Sequence, residues 1–141
     1  MDFSSINWLA VLACLVASMI VGSIWFSPKT FFPAWWKAIG KSDKDQPSMA
    51  SPAVTWGLTI LAALVESIFM VLFVKAMGTM NPGGATLASG AMAGFLIWLG
   101  FVATTSLTNK LFAARLKAWL YEAGNHLVTM VIMGAIAGAF H

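Results

Sequence analysis

The sequence has very little charge for its length. Of its 141 residues only 8 are basic and 5 are acidic, while 60% are hydrophobic. A soluble domain carries about 25% charged residues, and the 9% found here could not cover a surface that faces water. The scarcity of charge therefore disfavours a soluble domain. It indicates one integral membrane domain of several helices.

Cysteine and catalytic motifs are also scarce. Cys14 is the only cysteine, which excludes an intrachain disulfide and a cysteine metal cluster and predicts a small packing residue. The sequence contains no nucleophile elbow, zinc-protease motif, P-loop or dinucleotide fingerprint. With two histidines, one of them the last residue, an enzyme is disfavoured. We predict no cofactor and no bound metal.

Four apolar stretches predict an all-α bundle of four transmembrane helices, at about 7–26, 53–77, 85–108 and 119–140. No basic residue precedes the first stretch, so a retained helix is favoured over a signal peptide. The fully apolar part of the last stretch spans only about 21 Å, against a bilayer core of about 30 Å. The last helix must therefore begin near 118–121, which draws Glu122, Asn125 and His126 toward the membrane.

Two segments, 28–40 and 109–118, predict short interfacial helices at the level of the lipid headgroups. They combine aromatic and basic side chains, as headgroup-level segments do: Lys29, Trp35, Trp36, Lys37, Lys110, Arg115, Lys117 and Trp119. The calculated pI of 9.3 therefore reflects membrane topology and contact with lipids, not a nucleic-acid partner. By the positive-inside rule, loops 27–52 and 109–118 face the cytoplasm and both termini face outward.

The two halves of the chain resemble each other. Each contains a helix, a basic aromatic segment and a returning helix, and Ser27–Phe31 aligns with Thr108–Phe112 as [ST]-x-K-x-F. A tandem repeat of two helical hairpins would produce this match. The same boundary rules acting on two unrelated hairpins would produce it too, and both explanations stay open.

Glu66 is the only charged residue between Ala53 and Val74. A central acidic residue costs about 2.5–3.5 kcal/mol on insertion scales, so such residues face a bundle interior or a watery cavity. Glu66 is thus either a hydrogen-bonding group inside a packed bundle or a proton or cation site. Counted at about 1.5 Å per residue, Cys14, Ser18, Trp98 and Thr129 lie nearest its depth.

His126 lies closer to the cytoplasmic end than Glu66 on the same count, so a direct Glu66–His126 pair is not expected. A water-bridged pair, or a contact between two Glu66 residues of an oligomer, stays open. Glu122 and His126 are four residues apart and share a helix face. They form either a polar boundary patch together with Asn125 and Asn109, or a proton relay, or one half of a metal site for which no third ligand is obvious. The two asparagines are expected to cap helix ends.

Several stretches resemble the bacterial membrane protein family named domain of unknown function 1761. They cover nearly the whole chain apart from 41–52, and consist of Asn7–Ala10, Gly22–Pro28, Trp35-Trp36, Leu96–Thr105 with Asn109 and Phe112, and Ala123–Leu127. The resemblance implies a four-span protein of the bacterial inner membrane. It implies no activity and no site residues.

Two pairs of glycines form small-residue faces, Gly90 with Gly94 and Gly134 with Gly138. Such faces allow close helix contact, within the chain or between chains. We expect a homo-oligomer. The leading functional hypothesis is a small transporter, channel or proton-coupled permeation unit that uses Glu66. The alternatives are a structural or accessory membrane protein and a lipid-binding protein.

Overall fold

A computed structural model describes residues 3–49 and 51–140, and this part of the chain is helical with no strand. The five helices are α1 (Trp8–Trp25), α2 (Phe32–Ala38), α3 (Pro52–Gly78), α4 (Leu87–Phe112) and α5 (Leu116–Ala139). A short 3₁₀ turn, Phe3–Ser5, precedes them. The expected all-helical class is therefore confirmed.

Polar caps determine where the long helices begin. The Asn7 side chain accepts a hydrogen bond from the Ala10 N–H at the start of α1, and Ser51 accepts one from Val54 at the start of α3. Thr86 and Ser89 form a reciprocal capping box at the start of α4. Each cap satisfies backbone N–H groups that the first helical turn leaves without partners.

Three helices, α1, α3 and α4, are long and apolar enough to cross a membrane. Helix α5 is not among them, because Glu122, Asn125 and His126 lower its hydropathy. Its 24 residues nevertheless extend about 36 Å at 1.5 Å per residue. It packs against α1, α3 and α4, so it is the central helix of the bundle.

The expected second interfacial helix, 109–118, does not form as a separate element. Residues 109–112 continue α4, the chain turns at 113–115, and α5 begins at Leu116. Helix α4 does not end earlier because no glycine or proline lies between Gly100 and the turn. The turn itself depends on Ala114, which has a φ of 53°. The predicted interfacial helix thus combined residues of two different helices.

Asn109 and Asn125 do not cap helix ends, contrary to expectation. Asn109 is exposed within the last turns of α4, and Asn125 is buried within α5. The prediction failed because it rested on a helix between them that the chain does not form.

Helices α4 and α5 pack backbone against backbone. A Cβ added at Gly90 would overlap the carbonyl oxygen of Gly134, and one at Gly94 would overlap that of Met130. A Cβ at Gly138 would likewise overlap the carbonyl oxygen of Thr86. These small-residue faces therefore serve a contact within the chain.

Beyond these glycines along the chain, α4 widens into a π-helical turn at Trp98–Ala103. Its carbonyl groups accept side-chain hydrogen bonds. Thr104 Oγ1 donates to Gly100 O, Ser106 Oγ to Val102 O, and Trp119 Nε1 of α5 to Ala103 O. Side chains thus provide partners for carbonyl groups of the widened turn.

Candidate functional site

Helices α1, α3 and α5 pack tightly at one end and diverge at the other. Their tight half contains the apolar core, in which Cys14, Met70 and Met133 are 0–2% exposed. In the diverging half, every residue of α3 from Pro52 to Ala62 is exposed. The two halves meet near Ala63, one turn before Glu66.

The diverging half surrounds a cavity of about 780 Å³. Its lining comes from three helices and two adjoining loop segments: Ser18, Met19, Gly22 and Ser23 of α1; Phe26, Ser27 and Pro28; Met49; Thr55, Trp56, Thr59, Ala62, Ala63 and Glu66 of α3; and Asn125, His126 and Thr129 of α5. This volume lies within the range of about 300–1,000 Å³ that small-molecule sites occupy.

Glu66 lies at the inner end of this cavity. Thr55 and Glu66, the first and last α3 residues of the lining, are about 16 Å apart along the helix axis. The Glu66 side chain is exposed, and within residues 3–49 and 51–140 it has no hydrogen bond or ion pair. Its carboxylate is therefore available to a ligand.

Two buried polar side chains border the cavity from α5. Asn125 is 8% exposed and Thr129 is 5% exposed, and they lie one helical turn apart. Asn125 Nδ2 and Thr129 Oγ1 find no hydrogen-bond partner in the described part of the chain. Because buried polar atoms are normally paired, these two mark hydrogen-bonding capacity that the fold does not use.

Three hydroxyl groups of the other walls are already satisfied. Ser18 Oγ donates to Leu15 O at 2.9 Å, Thr55 Oγ1 to Ser51 O at 3.0 Å, and Thr59 Oγ1 to Thr55 O at 2.8 Å. Each bond returns to the residue's own helix and leaves the oxygen lone pairs free to accept. These residues can therefore contribute acceptors to the cavity wall.

The structure brings Glu66 together with two of the four residues expected near its depth. Glu66, Ser18 and Thr129 line the same cavity, whereas Trp98 lies elsewhere and its Nε1 donates to Ala123 O at 2.9 Å. Trp98 instead anchors α4 to α5. His126 also lines the cavity, with no bond to Glu66 in the described chain.

Glu122 is held in a separate structural cluster. Lys110 Nζ lies 2.9 Å from Glu122 Oε1, and Trp35 Nε1 donates to the same oxygen at 3.0 Å. These contacts tie α2, α4 and α5 together. Glu122 makes no hydrogen bond to His126 among the described residues, so the expected boundary patch divides between this cluster and the cavity.

The remaining basic and aromatic residues surround the end of the bundle that contains the large cavity. Lys29, Lys117 and Arg115 are exposed, and Lys37 pairs loosely with Asp43 at 3.4 Å. Trp36 Nε1 donates to Ser42 O at 3.1 Å. In the same loop, hydrogen bonds from the backbone and side chain of Ser42 lower the pKa of the exposed Asp45 carboxyl.

A second, smaller cavity of about 260 Å³ lies at the opposite end of the same three helices. It is lined by Ser5, Asn7, Ala10, Val71, Lys75, Ala137 and Phe140. Lys75 Nζ donates to the Ser5 carbonyl and hydroxyl oxygens there, and Asn7 Nδ2 donates to Phe140 O. The apolar core around Cys14, Met70 and Met133 separates the two cavities.

Several cavity residues were missed by the sequence analysis, although a signal for them exists. Thr55, Thr59 and Glu66 recur at spacings of four and seven, which places them on one face of α3. That polar stripe in an otherwise apolar helix predicts a wall facing water or a ligand. Met49, in contrast, comes from a loop, and no helical periodicity could reveal it.

These features define a helical, membrane-compatible protein with a largely apolar cavity between three of its helices, into which a few polar side chains project. The family model described as protein of unknown function (DUF1761) matches residues 9–138, so the chain belongs to that family. The resemblance seen in the sequence is thereby confirmed. Neither the comparison with curated proteins nor that with solved structures found a match.

Proposed function

We propose that the protein is a membrane transporter in which Glu66 binds the transported proton or cation. The observation that carries this proposal is the position of an unpaired carboxylate at the inner end of a large, partly polar cavity. A residue that only fixed helix register would be expected to hydrogen-bond a neighbouring helix. Intramembrane carboxylates that face a cavity are typical of ion and proton pathways.

The second cavity supports a carrier over an open channel. A channel needs a continuous path, whereas the core at Met133 and Cys14 blocks the line between the two cavities. Met133 is 0% exposed, and Cys14 Sγ donates to its carbonyl oxygen at 3.4 Å. Methionine side chains repack readily, so this block is suited to opening and closing.

The proposal includes α5 as a fourth membrane-crossing helix. Its polar residues Asn125 and Thr129 face inward between α1 and α3. Side chains at these positions do not contact lipid, so they need not be apolar. Its length of about 36 Å exceeds the bilayer core of about 30 Å. With the basic end in the cytoplasm of a bacterial cell, the large cavity would open inward.

The decisive experiment compares proton flux through wild-type protein and Glu66→Gln in reconstituted vesicles. A potassium diffusion potential drives the flux, and an internal pH dye reports it. Glutamine keeps the size and the hydrogen bonds of glutamate but cannot carry its charge. We expect flux to fall at least tenfold, while Asp43→Asn, a carboxylate control in the exposed loop, keeps wild-type flux.

Unchanged proton flux in a folded Glu66→Gln variant would refute proton transport through Glu66. Thermal unfolding in detergent provides the folding check. The same measurement tests the rival structural role by adding Glu66→Leu. The structural role is supported if Glu66→Leu unfolds the protein, Glu66→Gln does not, and Glu66→Gln has the same proton flux as the wild type. Glu66 then stabilises the bundle and nothing more.

A further inference from the structure

The charges around the large cavity are unbalanced. Glu66 is its one carboxylate, and among the described residues no lysine or arginine lines it. All the basic side chains of the large-cavity end either face outward or, like Lys110, pair with an acidic residue elsewhere. A cavity with one sign of charge and low-dielectric walls concentrates ions of the opposite sign.

The cavity is too large and too apolar to be built for a bare metal ion or a proton alone. Within the described chain, no group of three His, Cys, Asp or Glu side chains could hold a metal. Aromatic faces are present instead, from Phe26 and from Trp56, which is 51% exposed. Such faces attract organic cations through the negative potential of the ring.

The wall that α5 contributes offers hydrogen bonds. Asn125 and Thr129 are each more than nine-tenths buried, and each keeps an unpaired polar atom beside the cavity. A half turn of the Asn125 amide exchanges its oxygen and nitrogen positions, so that its N–H₂ group can reach a ligand. Both residues can therefore donate to an acceptor placed between α5 and Glu66.

We propose that the cavity binds a small organic cation that also carries a hydrogen-bond acceptor. Its ammonium group pairs with Glu66 at the inner end of the cavity, and its acceptor takes hydrogen bonds from Asn125 and Thr129. The rest of the molecule extends outward in the direction of Trp56, which lies about 15 Å from Glu66 along α3. The apolar walls enclose the remainder of the molecule. This inference rests on the proposed function, for which it names the class of substrate.

Three probes of nearly equal shape test the positive charge and the hydrogen-bond acceptor of the ligand separately. Benzoylcholine has a cation and a carbonyl group. In 3,3-dimethylbutyl benzoate, carbon replaces the charged nitrogen, and in (4-phenylbutyl)trimethylammonium the ester becomes methylene groups. Binding is measured by isothermal titration into protein in lipid nanodiscs, with empty nanodiscs subtracted, so that no transport is needed for the readout.

We expect wild-type protein to bind benzoylcholine at least tenfold tighter than the neutral ester, and about threefold or more tighter than the probe without the carbonyl, a ratio that one neutral hydrogen bond provides. Glu66→Gln should abolish the first preference and keep the second. Thr129→Val, which preserves shape, and Asn125→Leu should do the reverse. Asp43→Asn, the surface carboxylate control, should change neither.

Equal binding of the neutral ester, or a preference for charge that survives Glu66→Gln, would overturn the proposal. Loss of proton flux in Glu66→Gln without binding of any probe would refute the substrate class and leave the transport function standing. Probe binding that depends on Glu66, together with unchanged proton flux, would refute proton transport through Glu66 and leave the binding site standing.

Discussion

The two glutamates of the helical bundle illustrate how surroundings decide what a carboxylate does. Glu122 receives Lys110 and the Trp35 indole on one oxygen, and its side chain is 22% exposed. Glu66 receives nothing from the described chain and borders a cavity. The first is a structural group that joins three helices, and the second is available for binding.

This difference predicts opposite effects of substitution on stability. Glu122→Leu leaves the Trp35 N–H and the Lys110 ammonium without their acceptor, which should cost about 1–3 kcal/mol. Glu66→Gln should leave the unfolding temperature nearly unchanged. Thermal unfolding in detergent micelles measures both.

Glu122→Gln is the matched control, because the amide oxygen of glutamine can still accept hydrogen bonds from Trp35 and Lys110. This variant should therefore lose less stability than Glu122→Leu. Lys117→Met, at an exposed lysine, should have no measurable effect. A Glu122→Leu protein as stable as wild type would contradict the structural role of this cluster.

At the scale of the helices, α5 is held in position by other helices' tryptophans. Trp25 Nε1 donates to Tyr121 O and Trp98 Nε1 donates to Ala123 O, at 3.0 and 2.9 Å. In return, Trp119 of α5 donates to α4. The indoles fix the N-terminal half of α5 beside the cavity, while the glycines fix its C-terminal half against α4.

The glycine contact gives the sharpest prediction about an element. Gly90→Ala introduces a methyl group against the Gly134 carbonyl group, which should destabilise the protein by about 1–3 kcal/mol through overpacking. Gly57→Ala, in an exposed turn of α3 with nothing within 4 Å of the added Cβ, should be neutral or stabilising by up to about 1 kcal/mol.

Unfolding in detergent by a graded denaturant compares the two glycine variants. Equal stability changes in both would show that α4 and α5 are not in close contact. The comparison isolates packing, because both changes replace a glycine by an alanine within a helix.

At the scale of the whole molecule, hydropathy predicts the helices well because each is determined locally by composition. The starts of α1 and α3 differ from expectation by a single residue. The junction at 113–115 was not predictable, since its alanine turn depends on Trp119 and Lys110 contacts between helices. The cavity was not predictable either, because the divergence of α3 from α1 is a property of packing between distant segments.

Membrane topology can be tested with single cysteines in a Cys14→Ala background. Lys44→Cys and Ala113→Cys should react with an impermeant maleimide only after the cells are permeabilised. Asn81→Cys and Ala139→Cys should react in intact cells. If Ala139→Cys and Ala113→Cys were labelled from the same side, α5 would not cross the membrane and the four-span arrangement would be wrong.

The central position of α5 has a consequence for biogenesis. Helices α1, α3 and α4 are synthesised before α5, against which all three pack. In the proposed four-span arrangement, each of them enters the bilayer before α5 is present. Glu66 would then meet lipid, or the insertion machinery, before the cavity exists. Assembly of this protein in the cell should therefore be late and cooperative, completed when its last helix fills the gap that the others leave.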